Sequence, residues 1–440
     1  MIAEAEIIQE SLKKDQVEFQ AILSDEELSA LFTKYKVADE RKRKLHVGSF
    51  FWLMVFSAGE PSNRGSILSL IGFFLGAIAL LYPESAVTSL SKTAVSKRLT
   101  GISWYLFRGV YNHLLERYKA ILGSQEMKFL GQFKDAFLVD GSVITLSKNL
   151  QGILESVHKG QASLKLNTKF SLKVAAVTKL QVSSGKRHDS QFSFVTKEAN
   201  CLYLVDLGYW SFRLMKKIID ASSFFVMRLK GNCDPLIVKV AADELQYLVG
   251  LRLSEIGEFL DSCVACGTID LTVQLSKAKN PTFKDDVRLV GLLHDDQWRF
   301  YVTNLFEVRF NPQLIYQLYA QRWQIEIFFN LIKNVLSLEN IIAKTKNGTM
   351  IEIYSALIFY LFTRIIIALA AQKTGRSIHE FSFERAYKLV RGALLSHFHQ
   401  FLQPSLLAVE AIFQRLISII AAMALPQRSS KRTILIDHIA

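Results

Sequence analysis

Apolar positions recur at helical spacing through residues 1–120, and no stretch there alternates as a half-buried strand does, so this part is predicted to be helical. The character changes after Gln132. Residues 136–146 are rich in Phe, Leu, Val and Ile, residues 165–182 hold alternating stretches ending in the turn Ser183-Ser-Gly-Lys186, and residues 201–205 are short and wholly apolar. A helix over about 211–221 and a strand over 224–229 follow. Three strands, then alternating strand and helix, are compatible with a mixed α/β core. Between residues 231 and 299 lie further strand-like runs, including 268–275 and 287–293, and 301–305 is one more. Beyond residue 346 the pattern is helical again.

One stretch carries chemistry as well as periodicity: Tyr319-Ala-Gln-Arg-Trp-Gln-Ile-Glu-Ile-Phe-Phe-Asn-Leu-Ile-Lys333. On a continuous helix at about 100° per residue, Arg322 lies about 40° from Glu326, with Tyr319 and Lys333 each about 20° away. A phenol, a guanidinium, a carboxylate and an ammonium then share one side. Ile325, Phe329, Ile332 and Leu336 form an adjoining apolar stripe that can fix the helix to a core. Two readings compete: an ordinary i,i+4 ion pair of Arg322 with Glu326, or a metal-ligating carboxylate set among phosphate contacts.

Two aspartates elsewhere favour the second. Asp140 stands in Phe137-Leu-Val-Asp-Gly-Ser-Val-Ile144 and Asp206 in Leu202-Tyr-Leu-Val-Asp-Leu-Gly-Tyr-Trp210. A Y-x2-R-x3-E-x6-K pattern preceded by two strand-borne aspartates resembles the DDE transposases of the insertion-sequence-four (IS-four) family, over roughly residues 85–345. That resemblance implies an α/β (mixed) fold: an RNase H-like catalytic core with a β-rich insertion, flanked by helical N- and C-terminal regions. The chain then divides into a helical DNA-end-binding region (1–120), the first part of the core (121–230), the insertion (231–300), the core again with the glutamate helix (301–345) and a C-terminal helical region (346–440).

Asp140, Asp206 and Glu326 each sit in apolar surroundings, and a buried carboxylate is costly unless it is paired, protonated or metal-bound. Hard oxygen donors with open positions suit Mg2+ or Mn2+ and disfavour zinc. The resemblance implies two ions per site, about 3.5–4 Å apart, catalysing in-line displacement at phosphorus. Asp140 would bridge them, with Asp206 and Glu326 each favouring one. It also implies phosphate contacts for Tyr319, Arg322 and Lys333, with Arg322 suited to bidentate contact and Lys333 to a mobile point charge. Asp189 in His188-Asp-Ser190 and Asp135 are weaker rivals for the two aspartate roles. The family flips a base out of the transposon end and stacks it on an aromatic side chain; Trp298 leads as candidate, with Trp210 and Trp323 behind it, and core packing is the alternative for all three.

Composition supports a polyanion partner: 53 Lys and Arg against 40 Asp and Glu give a formal net charge of +13. The implied partner is double-stranded DNA, at terminal inverted repeats and at target sites, bound by a homodimer in a synaptic complex with hairpin-ended intermediates. Mean hydropathy is +0.20, which raises the reading of a membrane protein. Residues 67–81 are interrupted by Ser69, Gly72 and Gly76 and fall short of the roughly twenty residues that span a bilayer. Residues 354–371 carry Arg364 near their middle, where a charge is costly in lipid. Buried helices are expected instead, with no membrane. Met1–Glu6 has no basic stretch leading into an apolar run, so no secretory signal is expected. Four cysteines suggest no disulfide scaffold, and Cys263-Val-Ala-Cys266 lacks a second ligand pair for zinc. The expected location is the cytoplasm of a bacterium or archaeon, associated with the nucleoid.

The N-terminal region offers Arg41-Lys-Arg-Lys44, a compact charge run, and Leu90-Ser-Lys-Thr-Ala-Val-Ser-Lys-Arg-Leu99. The latter resembles the second helix of a helix-turn-helix, with a serine cap at Ser91 and with Lys97 and Arg98 placed to contact DNA.

Overall fold

The computed structural model describes residues 23–39, 45–59, 66–81, 89–122, 132–146, 155–156, 158, 160–187, 192–275, 283–336, 338, 340–396 and 406–423. The basic run 41–44 and the His188–Asp189–Ser190 turn lie outside them.

The chain forms two compact units, one built from residues 1–125, 144–163 and 329–433, the other from 126–143, 164–328 and 434–440. The described helices of the expected 1–120 and 346–440 regions fall together in a single helical unit. Its described elements are α1 (Asp25–Lys34), α2 (Val47–Ala58), α3 (Ile67–Leu81), α4 (Lys92–Gly101), α5 (Tyr105–Leu122), α10 (Lys346–Thr374), α11 (Phe383–Ser396) and α12 (Leu406–Met423). Helix α10 starts on a Thr345 cap and ends at Gly375, whose φ of 66° is the left-handed geometry of a helix stop. It is the axis of the unit, packing against α2, α5, α11 and α12. Gly59, just past α2, leaves no room for a Cβ beside the Phe359 ring, so α2 can approach α10 closely only with glycine there. Among the described residues, α10 alone is long and apolar enough to cross a membrane, and 89% of its most apolar window is buried inside the protein.

The second unit is organised on a nine-stranded sheet of order β3-β2-β1-β4-β5-β9-β8-β7-β6. The strands are β1 (Asp135–Leu146), β2 (Ala162–Ser171), β3 (Ala176–Ser184), β4 (Cys201–Val205), β5 (Phe224–Arg228), β6 (Leu236–Lys239), β7 (Thr268–Gln274), β8 (Val287–His294) and β9 (Gln297–Thr303). Strands β1, β4 and β5 are mutually parallel, and β2–β3 is an antiparallel hairpin. The first five form one half of the sheet of this mixed α/β fold, with α6 (Phe212–Asp220) linking β4 to β5. The 231–300 segment contributes β6, β7, β8 and most of β9 to the same sheet, because β9 pairs with β5 on one side and β8 on the other. It also contains the short helix α7 (Gly257–Ser262).

Alternation places Phe137, Val139, Cys201, Tyr203, Val205, Phe225 and Met227 in one apolar layer, closed by Phe192, Phe194, Tyr209, Met215 and Ile218. Burial on this scale fixes strand register, since a one-residue slip would send these side chains to the opposite face.

Candidate active site

Strand pairing brings the two aspartates together. The parallel register of β1 and β4 runs Leu138↔Leu204 and Val139↔Val205, so Asp140 and Asp206 are the next residues on neighbouring strands about 4.8 Å apart. The Asp206 amide donates to the Val139 carbonyl (3.4 Å). Asp206 ends its strand by capping a 3-10 turn, Leu207–Tyr209, with Oδ2 accepting from the Gly208 amide (3.2 Å). Asp140 Oδ1 accepts from its neighbouring Gly141 amide (2.7 Å).

The glutamate stretch is not one continuous helix. Helix α8 (Pro312–Ala320) starts at an Asn311 cap with Pro312 in its first turn, and α9 (Trp323–Asn330) follows it. Between them the bonds Arg322 N to Tyr319 O, Gln324 N to Gln321 O and Ile325 N to Arg322 O are all of the tighter i−3 type. Beyond α9 the chain widens into a π-helical turn, Leu331–Val335, that carries Lys333. The angles expected for a straight helix therefore hold for neither Tyr319 nor Lys333. Lys333 belongs to the helical unit, and its local setting is this π turn.

Arg322 is the hub. Its Nη1 donates to Asp140 Oδ2 (3.1 Å) and lies 3.6 Å from Asp206 Oδ1, while Nη2 donates to Glu326 Oε1 (2.6 Å). Three carboxylates from two strands and a helix thus converge on one guanidinium. The i,i+4 ion pair with Glu326 exists, but as one arm of this larger cluster. The Arg322 and Asp140 side chains are each 17% exposed, against 36% for Asp206 and 34% for Glu326, so the cluster opens to solvent on the Asp206 and Glu326 side. Burial pushes the Asp140 carboxyl up to about 6; the Asp206 and Glu326 charges push the same way, against the Gly141 amide and Arg322. Tyr319 packs on Tyr301 (centroids 5.1 Å apart), with the Arg322 guanidinium 5.9 Å from its ring. Burial raises its phenol to about 12, so it keeps its proton and can donate at neutral pH.

One guanidinium against three carboxylates leaves two negative charges uncompensated, which is the charge of one divalent cation. The donors are hard oxygens, the type Mg2+ and Mn2+ take. Among the described residues no group of three Asp, Glu, His or Cys side chains could hold an ion as it stands, and here the guanidinium lies where the carboxylates converge. The donor set fits such an ion once the Arg322 fork has turned away.

The remaining candidates separate clearly. Asp135, at the far end of β1, accepts the Ser171 hydroxyl with both oxygens at 2.8 Å and pairs in register with Cys201. It lies five residues before Asp140, about 16 Å along the strand. Trp210 is buried in the core at 9% exposure, whereas Trp323 is 49% exposed. Trp298 is half-buried, lies parallel to Phe300 (centroids 6.3 Å apart, 14° between planes), and lines a cavity of about 450 Å³ with Arg228, Lys230, Arg299 and Ser254. In the helical unit Ser91 caps α4 as expected, accepting from the Ala94 amide, and Lys97 is exposed. Arg98 is committed elsewhere: Nη2 binds both Asp39 oxygens (2.7 and 2.8 Å) and Nε donates to the Leu45 carbonyl (3.0 Å). Cys263 and Cys266 are free thiols.

The family described as "Transposase DDE domain" matches residues 131–362, more than half of the chain. The chain belongs to that family. Its relatives include the "Probable transposase for insertion sequence element IS5377" of Geobacillus stearothermophilus, 24% identical over 253 residues, or 57% of this chain and 61% of that protein's length. Another is the transposase for insertion sequence element IS231F of Bacillus thuringiensis subsp. israelensis, 21% identical over 400 residues, covering 80% of this chain and 79% of that one. Among solved structures, a piggyBac transposase in a synaptic complex with hairpin DNA aligns at a TM-score of 0.41 and 11% identity, covering 95% of this chain and 87% of that one.

Proposed function

We propose that this chain is the transposase of an insertion sequence, which binds the element's terminal inverted repeats, cleaves DNA at its ends and transfers the 3′-hydroxyl ends to target DNA. The observation that carries this reading is the convergence of Asp140, Asp206 and Glu326 on one guanidinium within a DDE-family sheet. The relatives' names and the net charge of +13 support DNA as the partner. The working form is a homodimer in a synaptic complex, in the cytoplasm of the host cell.

Two divalent ions, Mg2+ or Mn2+, would supply the charge that activates an attacking water or 3′-hydroxyl and stabilises the leaving oxygen. Asp140, Asp206 and Glu326 would hold them. The chain's own groups orient the substrate. Arg322, freed from the carboxylates, offers a planar fork to phosphate oxygens, Tyr319 donates its phenol, and Lys333 adds a point charge. The Trp298 cavity, with Arg228, Lys230 and Arg299 on its walls, is a place for an unstacked base: an aromatic face beside cations that hold the flanking phosphates. End recognition falls to the exposed Lys97 side of α4, while Arg98 holds that helix in place.

The test is strand cleavage of a labelled duplex carrying the terminal repeat, in Mg2+, by the wild type and by Asp140→Ala, Asp206→Ala and Glu326→Ala. Cleavage by the wild type alone, with end binding kept in all four, is the expected pattern. Robust cleavage by any variant removes that residue from the site.

A further inference from the structure

Asp206 is placed by a device one turn further on, which the strand pairing does not supply. Its 3-10 turn ends at Tyr209, a side chain only 2% exposed, whose ring meets Phe192 and Phe194 edge-on at centroid distances of 6.4 and 5.8 Å. The Tyr209 hydroxyl donates to Asn167 Oδ1 at 2.8 Å. Asn167 is itself 2% exposed and sits mid-way along β2, opposite Gln181 of β3. Since β1 lies between β2 and β4, this one hydrogen bond reaches from the turn after β4 across the strand that carries Asp140. It joins the backbone that presents Asp206 to a strand on the far side of Asp140.

We infer that Tyr209 and Asn167 are a positioning pair for the divalent-ion site, setting the Asp206 carboxylate against Asp140. The inference rests on the reading of Asp206 as an ion ligand. Asp206 needs such support: its side chain is 36% exposed, and among the described residues its carboxylate is held by the Gly208 amide of the same turn and by Arg322 at 3.6 Å, the group that must turn away for an ion to bind. A turn free to rock would carry the carboxylate with it. A buried hydroxyl–amide bond resists that motion, because breaking it leaves a donor and an acceptor unpaired where no water reaches. Groups that orient metal ligands from behind typically change metal affinity or activity about 10–100-fold when they are removed.

The experiment is Mn2+ binding to the full-length chain, followed by electron paramagnetic resonance of the free ion, in wild type, Asp206→Asn, Tyr209→Phe, Asn167→Val and the Tyr209→Phe/Asn167→Val double variant. Thermal melting alongside shows which variants are folded. Tyr209→Phe keeps the ring and its packing, and the double variant removes both ends of this hydrogen bond together. The expected result is loss of the site in Asp206→Asn, about 10- to 100-fold weaker Mn2+ binding in each single variant, and no further loss in the double. If Asp206→Asn weakens Mn2+ while folded Tyr209→Phe and the double variant bind as wild type, the positioning role is overturned and the ligand reading stands. If Asp206→Asn itself binds Mn2+ like wild type, the ligand reading falls and the inference falls with it.

Discussion

Asp140→Asn should stabilise the metal-free fold while ending its chemistry. Burial, with Asp206 and Glu326 beside it, raises the Asp140 carboxyl from 3.8 to about 6. A carboxyl raised in the fold favours folding while it is protonated; that contribution is complete below about pH 4 and lost as pH rises through about 6. At pH 7.5 the ionised group therefore burdens the fold by about two units, or about 3 kcal/mol at 1.36 kcal/mol per unit. The side chain is only 17% exposed, so solvent screening trims this modestly, to about 2–3 kcal/mol. Asparagine keeps the shape without the charge. Urea unfolding of both proteins in chelator, at intervals from pH 4.5 to 8, measures the difference; Asp135, which burial also raises to about 6, is common to both and cancels. Asp140→Asn should be more stable by about 2–3 kcal/mol at pH 7.5, with the gap closing toward pH 4.5. Saturating Mg2+ should reverse the order, because only the wild type gains the binding energy. A variant less stable at every pH, or a gap that does not change with pH, would refute the reasoning.

Four further variants test the proposed DNA contacts and the helix that carries one of them. Lys333→Ala should shallow the slope of log affinity against log salt by about 0.9 on duplex DNA, measured by fluorescence anisotropy; an unchanged slope with normal cleavage removes Lys333 from the phosphate contacts. Arg98→Ala should lower the stability of the helical unit by about 2 kcal/mol, since Asp39, 11% exposed, loses its charged partner while keeping the Val47 amide. Lys97→Ala should leave the melting temperature unchanged and reduce preference for the terminal repeat over scrambled DNA. Trp298→Ala should slow cleavage of a fully paired end more than of an end with an abasic site in place of the flipped base, because stacking is worth about 1–3 kcal/mol per base.

Much of the catalytic arrangement was legible because it rests on local patterns. The apolar run 136–146 that carries Asp140 read as a strand, the run ending in Asp206 as a strand end, and a helix with Glu326 as amphipathic; pairing of β1 with β4 then sufficed to join the aspartates. What stayed hidden depended on contacts distant in sequence or on backbone detail. Arg322 reaches Asp140 across 182 positions, and nothing in the 319–333 stretch signals a three-way partner. The break between α8 and α9 and the π turn at Lys333 come from i−3 and wider backbone bonds, which side-chain periodicity does not reveal. Arg98 read as a DNA contact because its helix resembles the second of a helix-turn-helix, yet Asp39 claims it. The 231–300 segment read as a β-rich insertion from its strand-like runs and the resemblance; that β9 joins it to the sheet through β5 depends on a pairing distant in sequence.

The central claim is that Asp140, Asp206 and Glu326 form one divalent-ion site for DNA strand cleavage. Asp206→Cys tests it most directly, because a thiolate is a poor ligand for Mg2+ and a better one for the softer Mn2+. The variant should fail to cleave the terminal-repeat duplex in Mg2+ and recover cleavage in Mn2+, with the wild type active in both and inactive in chelator. Equal cleavage by the variant in Mg2+, or wild-type cleavage in chelator, would contradict the claim.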